Sequence, residues 1–426
     1  MRIMINYGKY GLPLNLPDEW DVTVIRKKPM SQLAEPQADL RNALLNPVGS
    51  MPLADLVRGR KDVCIVICDI TRPVPNGVIL PVLINSLLSA GMNINAITLL
   101  VATGLHRTNE GKELLEVVGD KWVLEQVKSV NHFARNDDDH VSLGKTKRNT
   151  PVKLDRRFIE ADLRIVIGLV EPHFMAGYSG GRKIIVPGIA HQETIKSIHA
   201  ARLLEQEGVA NCKLEGNPLH EELLEIARMA GECLAINVVV DEMRRISFVN
   251  FGDFEQSHLA AVSYMRPFAE IHMNKKFNTV ITSGAGYPLD KNYYQTVKGM
   301  VAAMDILEKG GNLFIASECS EGIGSFEYKE SQRKFITAGA DMFMKEIMSK
   351  EHADIDEWET EMQLKPMQIG TVHIYSEGLS DTDKALTGAH IIESLEEAIL
   401  ESVEQSGNKG VAVIPEGPYV IPLFRQ

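Results

Sequence analysis

Short apolar runs that end in glycine, proline or charged residues recur along the chain and predict buried strands of a parallel sheet. The clearest runs in the first half are DVCIVICDI from Asp62, AITLLVATG at 96–104 and LRIVIGLV at 163–170. Amphipathic stretches of helical period lie between them, for example VILPVLINSLLSAG at 78–91. Alternating strands and helices are typical of an α/β fold with mostly parallel sheets.

The same alternation returns in the second half of the chain. The apolar runs FNTVITS, GNLFIAS, TVHIY and GVAVIP are separated by helical stretches, and they predict a second doubly wound layer. The pattern is interrupted around 266–276, where the polar segment HMNKK follows Pro267. We therefore predict two α/β domains, 1–268 and 275–407, with an active-site cleft between them. The tail from about 408 to 426 is a candidate for packing back on the first domain.

Three further segments have distinct sequence patterns. The stretch from His191 to Gly208 (HQETIKSIHAARLLEQEG) has the pattern of one helix with His199 in its middle. The polar stretch NHFARNDDDH is typical of a solvated loop, and residues 351–361 form an acidic segment around Trp358.

Composition narrows the class of protein. The 426 residues are 44% hydrophobic and 24% charged, which fits a globular protein with an ample core. The net charge of −12 argues against a nucleic-acid partner. The N-terminus lacks a secretory signal, and no run approaches the ~18 apolar residues of a membrane span. Five scattered cysteines are typical of reduced thiols, so we expect a cytoplasmic protein with no membrane partner.

Candidate chemistry is concentrated just after the predicted strands. The loop EPHFMAGYSGGRK (171–183) follows the strand at 163–170 and contains His173, three glycines and Lys183. Glycines let backbone N–H groups approach an anion closely, and a lysine can bind phosphate or become a covalent anchor. A glycine-rich turn with a solvated basic pair remains the alternative.

Two other strands end in similar groups. Asp69-Ile70-Thr71-Arg72 follows the first strand, and His106 follows the second. In an open α/β sheet these ends lie at the ligand-binding edge. A pair of histidines facing each other across one carbon, His106 and His173, could act as acid and base on opposite faces and so invert a stereocentre. Arg72 could hold a carboxylate.

The second half offers a helix start near the same cleft. Tyr294, Gln295 and Lys298 lie within one turn of a predicted helix, where the helix dipole favours an anion. Lys298 could share a carboxylate with Arg72. A solvated polar face is the alternative.

Taken together, these motifs resemble the lactate racemase family, the nickel-pincer enzymes. The resemblance rests on DITRP (69–73), GLHR (104–107), EPHFMAGYSGGRK (171–183), His199 and YYQTVKG (293–299), in that order over almost the whole chain. It implies a racemase or epimerase that inverts C2 of a 2-hydroxy acid by hydride transfer to a nickel-pincer nucleotide. Lactate is the default substrate, and malate, aryl-lactates and sugar acids are alternatives. The resemblance also implies cofactor-biosynthesis proteins as maturation partners.

The resemblance also implies a role for each motif residue. His106 and His173 match the acid/base pair, Lys183 the cofactor tether and His199 the nickel ligand. The resemblance further implies cofactor contacts from Asp69, Ile70, Thr71 and Arg72. It implies substrate contacts from Arg72, Tyr294, Gln295, Lys298 and Trp358.

Two other functions remain open at this point. A non-catalytic binder of an anionic metabolite or nucleotide could use the same frame, although it would have no need for a base on each side. A zinc hydrolase using His173 and His199 lacks a clear third ligand and a use for Lys183.

Overall fold

The computed structural model describes residues 1–425 of the protein. Its strands are, in chain order, β1 (Arg2–Ile5), β2 (Leu12–Asn15), β3 (Asp21–Val24), β4 (Val63–Cys68), β5 (Ile97–Ala102), β6 (Lys128–Asn131), β7 (His140–Lys145), β8 (Pro151–Asp155), β9 (Leu163–Leu169), β10 (Pro172–His173), β11 (Ala176–Tyr178), β12 (Ala210–Asn211), β13 (Leu234–Val240), β14 (Ile246–Asp253), β15 (Glu270–Met273), β16 (Phe277–Ser283), β17 (Leu307–Ala316), β18 (Thr371–Tyr375), β19 (His390–Ile391), β20 (Gly410–Val413) and β21 (Ile421–Phe424).

The helices lie between and after these strands. They are α1 (Pro36–Leu45), α2 (Leu53–Val57), α3 (Asn76–Ser89), α4 (Gly111–Val118), α5 (Lys121–Gln126), α6 (Arg156–Ile159), α7 (Arg182–Ile185), α8 (Gln192–Ile198), α9 (Ala201–Leu204), α10 (Pro218–Met229), α11 (Phe254–Ala269), α12 (Tyr293–Ala303), α13 (Phe326–Ala338), α14 (Ala340–Ser349), α15 (Glu357–Ile369), α16 (Asp381–Lys384) and α17 (Leu395–Ser406). Within residues 1–425, none of the helices has both the length and the apolar character needed to cross a bilayer.

The first sheet has the strand order β14-β13-β9-β4-β5-β6 and is parallel except for the β13–β14 hairpin. Its central strand β4 is buried along its whole length, as the uninterrupted apolar run predicts. Val63, Ile65 and Ile67 face one apolar cluster, while Cys64 and Val66 face the other. Burying one such aliphatic side chain stabilises the fold by about 1.5–3 kcal/mol. The mostly parallel α/β architecture is therefore confirmed.

The second sheet has the order β19-β18-β17-β16-β20-β3 and all of its pairings are parallel. Its edge strand β3 comes from the N-terminus, and the β1–β2 hairpin packs its apolar side chains against Ile281 and Phe314 of this sheet. The sequence pattern predicts residues 1–25 in the first domain. Their apolar side chains find their partners in the second sheet instead.

The C-terminal tail divides between two places. β20 pairs with β16 inside the second sheet, whereas β21 pairs with β15 at the crossing between the two halves. Ile421 is buried in a cluster that also contains Met30, Val170 and Ala302. The last strand thus stabilises the junction of the two sheets.

One helix differs from the sequence-based expectation. The helix expected over 191–208 is interrupted, because His199 ends α8 and Ala200 has extended backbone before α9 begins. In the acidic segment 351–361, α15 begins and buries Glu357, Trp358 and Glu359. Both segments lie where the two halves of the chain meet.

Candidate active site

A cavity of about 170 Å³ lies between the two halves of the chain and gathers nearly all the candidate residues. Residues from both halves line it: Asp69, Thr71, Arg72, His106, His173, Lys183, His199, Tyr294, Gln295, Lys298 and Trp358. Ile70 lies instead on an adjoining cavity of about 420 Å³, which shares Asp69, Arg72 and His106 with the first. The adjoining cavity also meets the N-terminus of α3, which favours an anionic group.

The topology of the first sheet explains this assembly. β9, β4 and β5 are adjacent parallel strands, so their carboxyl ends meet at one edge of the sheet. The segments that follow them contain His173, Asp69 and His106 respectively. Across the cleft, Val297 and Trp358 belong to the same apolar cluster as the cleft-facing side of the first sheet.

His106 is held by a carboxylate. Its Nδ1 lies 2.6 Å from Oδ2 of buried Asp69, whose Oδ1 accepts hydrogen bonds from the hydroxyl and N–H of Thr71 at 2.6 and 3.2 Å. The cleft removes part of the water around the half-exposed His106 ring, which would lower its pKa, but the Asp69 carboxylate outweighs this effect and raises the pKa. The other ring nitrogen, Nε2, is thereby oriented as a proton donor or acceptor.

His173 has the opposite environment. Its Nδ1 accepts long hydrogen bonds of 3.2 Å from the backbone N–H groups of Met175 and Ala176. Burial, followed by the positive charges of Lys183 and Arg72, lowers the pKa of His173 well below its ordinary value. The site therefore contains one histidine that favours the charged form and one that favours the neutral form.

The glycine-rich loop brings Lys183 into the cavity. Gly181 precedes α7 with φ +49°, and a Cβ there would lie 2.7 Å from Cγ of His258, so only glycine fits. Burial lowers the pKa of Lys183 well below its ordinary value, and neighbouring Arg182 and Arg72 lower it further. The result is an amine that is neutral more readily than an exposed lysine, which is the form that acts as a nucleophile.

His199 faces the cavity because α8 ends there. Its Nδ1 donates to the backbone oxygen of Ile195 at 2.8 Å, so the neutral ring carries its lone pair on Nε2. Burial lowers the pKa of His199 to about 4. Its ring packs against that of Trp358 with 4.3 Å between centroids, and the Trp358 indole N–H donates to the hydroxyl of Tyr294 at 3.1 Å.

The remaining charged groups make the cavity suitable for an anion. Asn292 caps α12 by accepting the N–H of Gln295, and Lys298 donates to the Gln295 side-chain oxygen. Burial lowers the pKa of Lys298. Arg72 lies 3.6 Å from Glu171, the carboxylate that keeps its guanidinium charged despite burial. Arg72 and Lys298 are the charged donors in the cavity wall that could contact a bound carboxylate.

Sequence reasoning missed two acids that line the same cavity, Asp356 and Glu359. Asp356 has φ +64° and accepts a hydrogen bond of 2.5 Å from the Ser325 hydroxyl. Glu359 lies one position beyond Trp358 on α15 and is 1% exposed. Their spacing of three residues at the start of α15 was the available signal.

Comparison with known proteins supplies the family. The family model of the lactate racemase N-terminal domain matches residues 7–211, and that of the lactate racemase C-terminal domain matches residues 273–422. Lactate racemase from Thermoanaerobacterium thermosaccharolyticum is 33% identical over 99% of both chains. Lactate racemase from Lactiplantibacillus plantarum is 31% identical over 90% of both.

A solved structure agrees with the sequence comparisons. The lactate racemase apoprotein from T. thermosaccharolyticum superposes with a TM-score of 0.90, 31% identity and coverage of 100% of both chains. A protein from Thermotoga maritima shares the fold alone, with a TM-score of 0.70 and 16% identity over 91% of this chain and 98% of its own. The chain belongs to the lactate racemase family.

Proposed function

We propose that this protein is a racemase or epimerase that inverts C2 of a 2-hydroxy acid, using a nickel-pincer nucleotide. The observation that carries the proposal is the convergence of His106, His173, Lys183 and His199, from four separate segments, on one cavity. A pair of imidazoles with opposed pKa shifts supplies an acid and a base. Family membership supports the same activity.

The side chains fit the proposed cofactor. Lys183 offers a buried amine of lowered pKa for a covalent bond, and His199 offers the Nε2 lone pair to a metal. No three His, Cys, Asp or Glu side chains are grouped as metal ligands among residues 1–425. A metal at His199 would therefore take its other ligands from the cofactor, as a pincer provides. When bound, the cofactor would accept a hydride from C2 and return it.

The protein's own residues would bind the substrate and move its hydroxyl proton. Arg72 and Lys298 attract the substrate carboxylate, and the hydroxyl lies between the two histidines. His106 is the member that holds a proton, because Asp69 stabilises its charged form, and His173 is the neutral base. For the other enantiomer the two roles are exchanged.

One local rearrangement is required of His173. In neutral His173, Nδ1 accepts hydrogen bonds from two backbone N–H groups, so the ring hydrogen lies on Nε2. Accepting a proton at Nε2 requires that hydrogen to move to Nδ1, and both 3.2 Å hydrogen bonds must then open. Their length makes this inexpensive compared with breaking a short hydrogen bond.

The direct experiment is racemisation by the loaded protein. The chain is expressed with cofactor-biosynthesis proteins and nickel, supplied with single enantiomers of several 2-hydroxy acids, and scored by chiral chromatography. We expect inversion of at least one acid. Failure to invert any acid in the panel, with the cofactor shown to be bound, would overturn the proposal.

Intact mass spectrometry separates this function from passive binding of an anion. The loaded protein should carry a covalent adduct that Lys183→Ala removes. His106→Ala and His173→Ala should keep the adduct but lose racemisation, whereas His272→Ala, an exposed histidine on β15, should keep both. Normal racemisation by both active-site variants would exclude the acid/base assignment.

A further inference from the structure

Glu359 is a buried carboxyl group without a hydrogen-bond partner in the wall of the active-site cavity. Its side chain is 1% exposed, and neither side-chain oxygen makes a hydrogen bond or ion pair within residues 1–425. Oε1 is fully enclosed. Leaving such a group unpaired in a protein interior is unfavourable, so a buried unpaired carboxyl in a cavity wall indicates a ligand.

A structural ion pair does not account for Glu359. Lys298 is the cation with the largest electrostatic effect on Glu359, but the Lys298 ammonium donates to Gln295 and makes no salt bridge with Glu359. The neighbouring acid on this helix face, Asp356, accepts from Ser325 and so has a partner. Glu359 is therefore the cavity acid whose hydrogen bonds remain to be made by a bound molecule.

The protonation of Glu359 limits what that molecule can be. Burial raises its pKa above the ordinary value of 4.5, so part of the population is protonated near neutral pH. A protonated carboxyl offers one O–H donor and further acceptor capacity, which matches a hydroxyl group. A methyl group can neither accept a hydrogen bond from the Glu359 O–H nor donate one to its oxygens. A second carboxylate would be repelled by the negative charge of Glu359 whenever Glu359 ionises.

The position of Glu359 relates it to one part of the substrate. Lys298 and Arg72 are the cations that act on it, and they are also the groups proposed to hold the substrate carboxylate. The carboxylate carbon and C3 are both attached to C2, so a side chain beside the carboxylate site can reach a hydroxyl group carried on C3. This assignment rests on the proposed function.

We infer that Glu359 hydrogen-bonds a hydroxyl group on C3, and that the preferred substrate class is 2,3-dihydroxy acids rather than lactate. With lactate in the site, the buried carboxyl would remain unpaired. The missing hydrogen bond should lower kcat/KM by about 10- to 100-fold relative to the hydroxylated acid.

The test compares loaded wild-type protein with Glu359→Met on single enantiomers of lactate, glycerate and malate. We expect wild-type protein to prefer glycerate over lactate in kcat/KM by about tenfold or more. Glu359→Met should reduce that ratio at least tenfold, and Glu359→Gln, which keeps a neutral donor and acceptor, should restore most of it. Glu361→Gln is the matched control, because Glu361 is a buried acid of the same helix that does not line the cavity.

Each contrary result has a distinct meaning. Inversion of lactate with a preference for lactate or malate over glycerate would overturn the role of Glu359 and leave the proposed function intact. Loss of the covalent adduct in Glu359→Met would assign Glu359 to the cofactor and also overturn the inference. Failure of wild-type protein to invert all three acids and every other acid tested would overturn both.

Discussion

Replacing Asp69 with asparagine should lower the pKa of His106, because it removes the charge that favours the imidazolium. Asp69 Oδ2 lies 2.6 Å from His106 Nδ1, and Asn preserves the shape of the side chain. Desolvation lowers the pKa of His106, whereas the Asp69 carboxylate raises it most strongly and Asp356 raises it less, so removing the Asp69 charge should lower the pKa. The protonated form should therefore be lost at a lower pH in the variant.

The size of the shift can be estimated from the geometry. Two unit charges about 4 Å apart interact by about 4 kcal/mol at an effective dielectric constant of about 20. The His106 side chain is 50% exposed, and screening by solvent reduces this to about 1–2 kcal/mol. At about 1.4 kcal/mol per pKa unit, the expected decrease is about one unit.

NMR titration of the histidine ring resonances measures this shift in the protein without its cofactor. His106→Gln identifies the His106 signal by its disappearance. Glu113→Gln is the control, since Glu113 pairs with the adjacent Arg107 rather than with His106. An unchanged or higher pKa of His106 in Asp69→Asn would refute the electrostatic account, whereas a similar decrease in Glu113→Gln would show that the effect is not specific.

Three further substitutions test the fold around the site. Gly181→Ala should cost about 3 kcal/mol or more in urea unfolding because of strained backbone and a clash, whereas Gly407→Ala, with open space around it, should cost about 1–2 kcal/mol. Asp155→Asn should cost about 3–5 kcal/mol, because the buried Asp155 carboxylate holds His132 at 2.8 Å. Burial acts to raise the pKa of Asp155, but its hydrogen bonds with His132 and Arg157 outweigh burial and lower the pKa to about 2. Its contribution to stability is therefore present above pH 3.8 and is lost as pH falls through about 2. The variant's urea midpoint should lose this pH dependence, and an equal dependence would contradict the assignment. Trp358→Phe should lower thermal stability by about 1 kcal/mol through loss of its indole hydrogen bond, and no change would contradict that contribution.

The expected solvated loop NHFARNDDDH shows why local polarity misleads. His132 and His140 within it are 1% and 5% exposed, so the prediction of a solvated loop is wrong for both. His132 is buried because Asp155, which is distant in sequence, accepts its hydrogen bond, and the His140 ring packs edge-on against it. A polar sequence gives no sign of a partner that lies on another strand.

The sequence predicts the part of the candidate site that lies at the ends of strands. The apolar runs before Asp69, His106 and His173 predict that these residues share one edge of a sheet, and the cavity contains all three. The adjacency of their strands is a property of the strand order β9-β4-β5. Their proposed catalytic roles stay predictions.

Local sequence specifies the alternation of strands and helices, the glycine-rich loop and the residue types available for chemistry, because these depend on local periodicity and on backbone freedom. Long-range packing establishes that β3 joins the second sheet, that the helix ends at His199, and that Glu359 is buried without a partner. Each of these depends on contacts between segments distant in the chain. Desolvation, pairing and the resulting pKa shifts depend on which segments meet, and hydrophobic periodicity along one segment does not specify its neighbour.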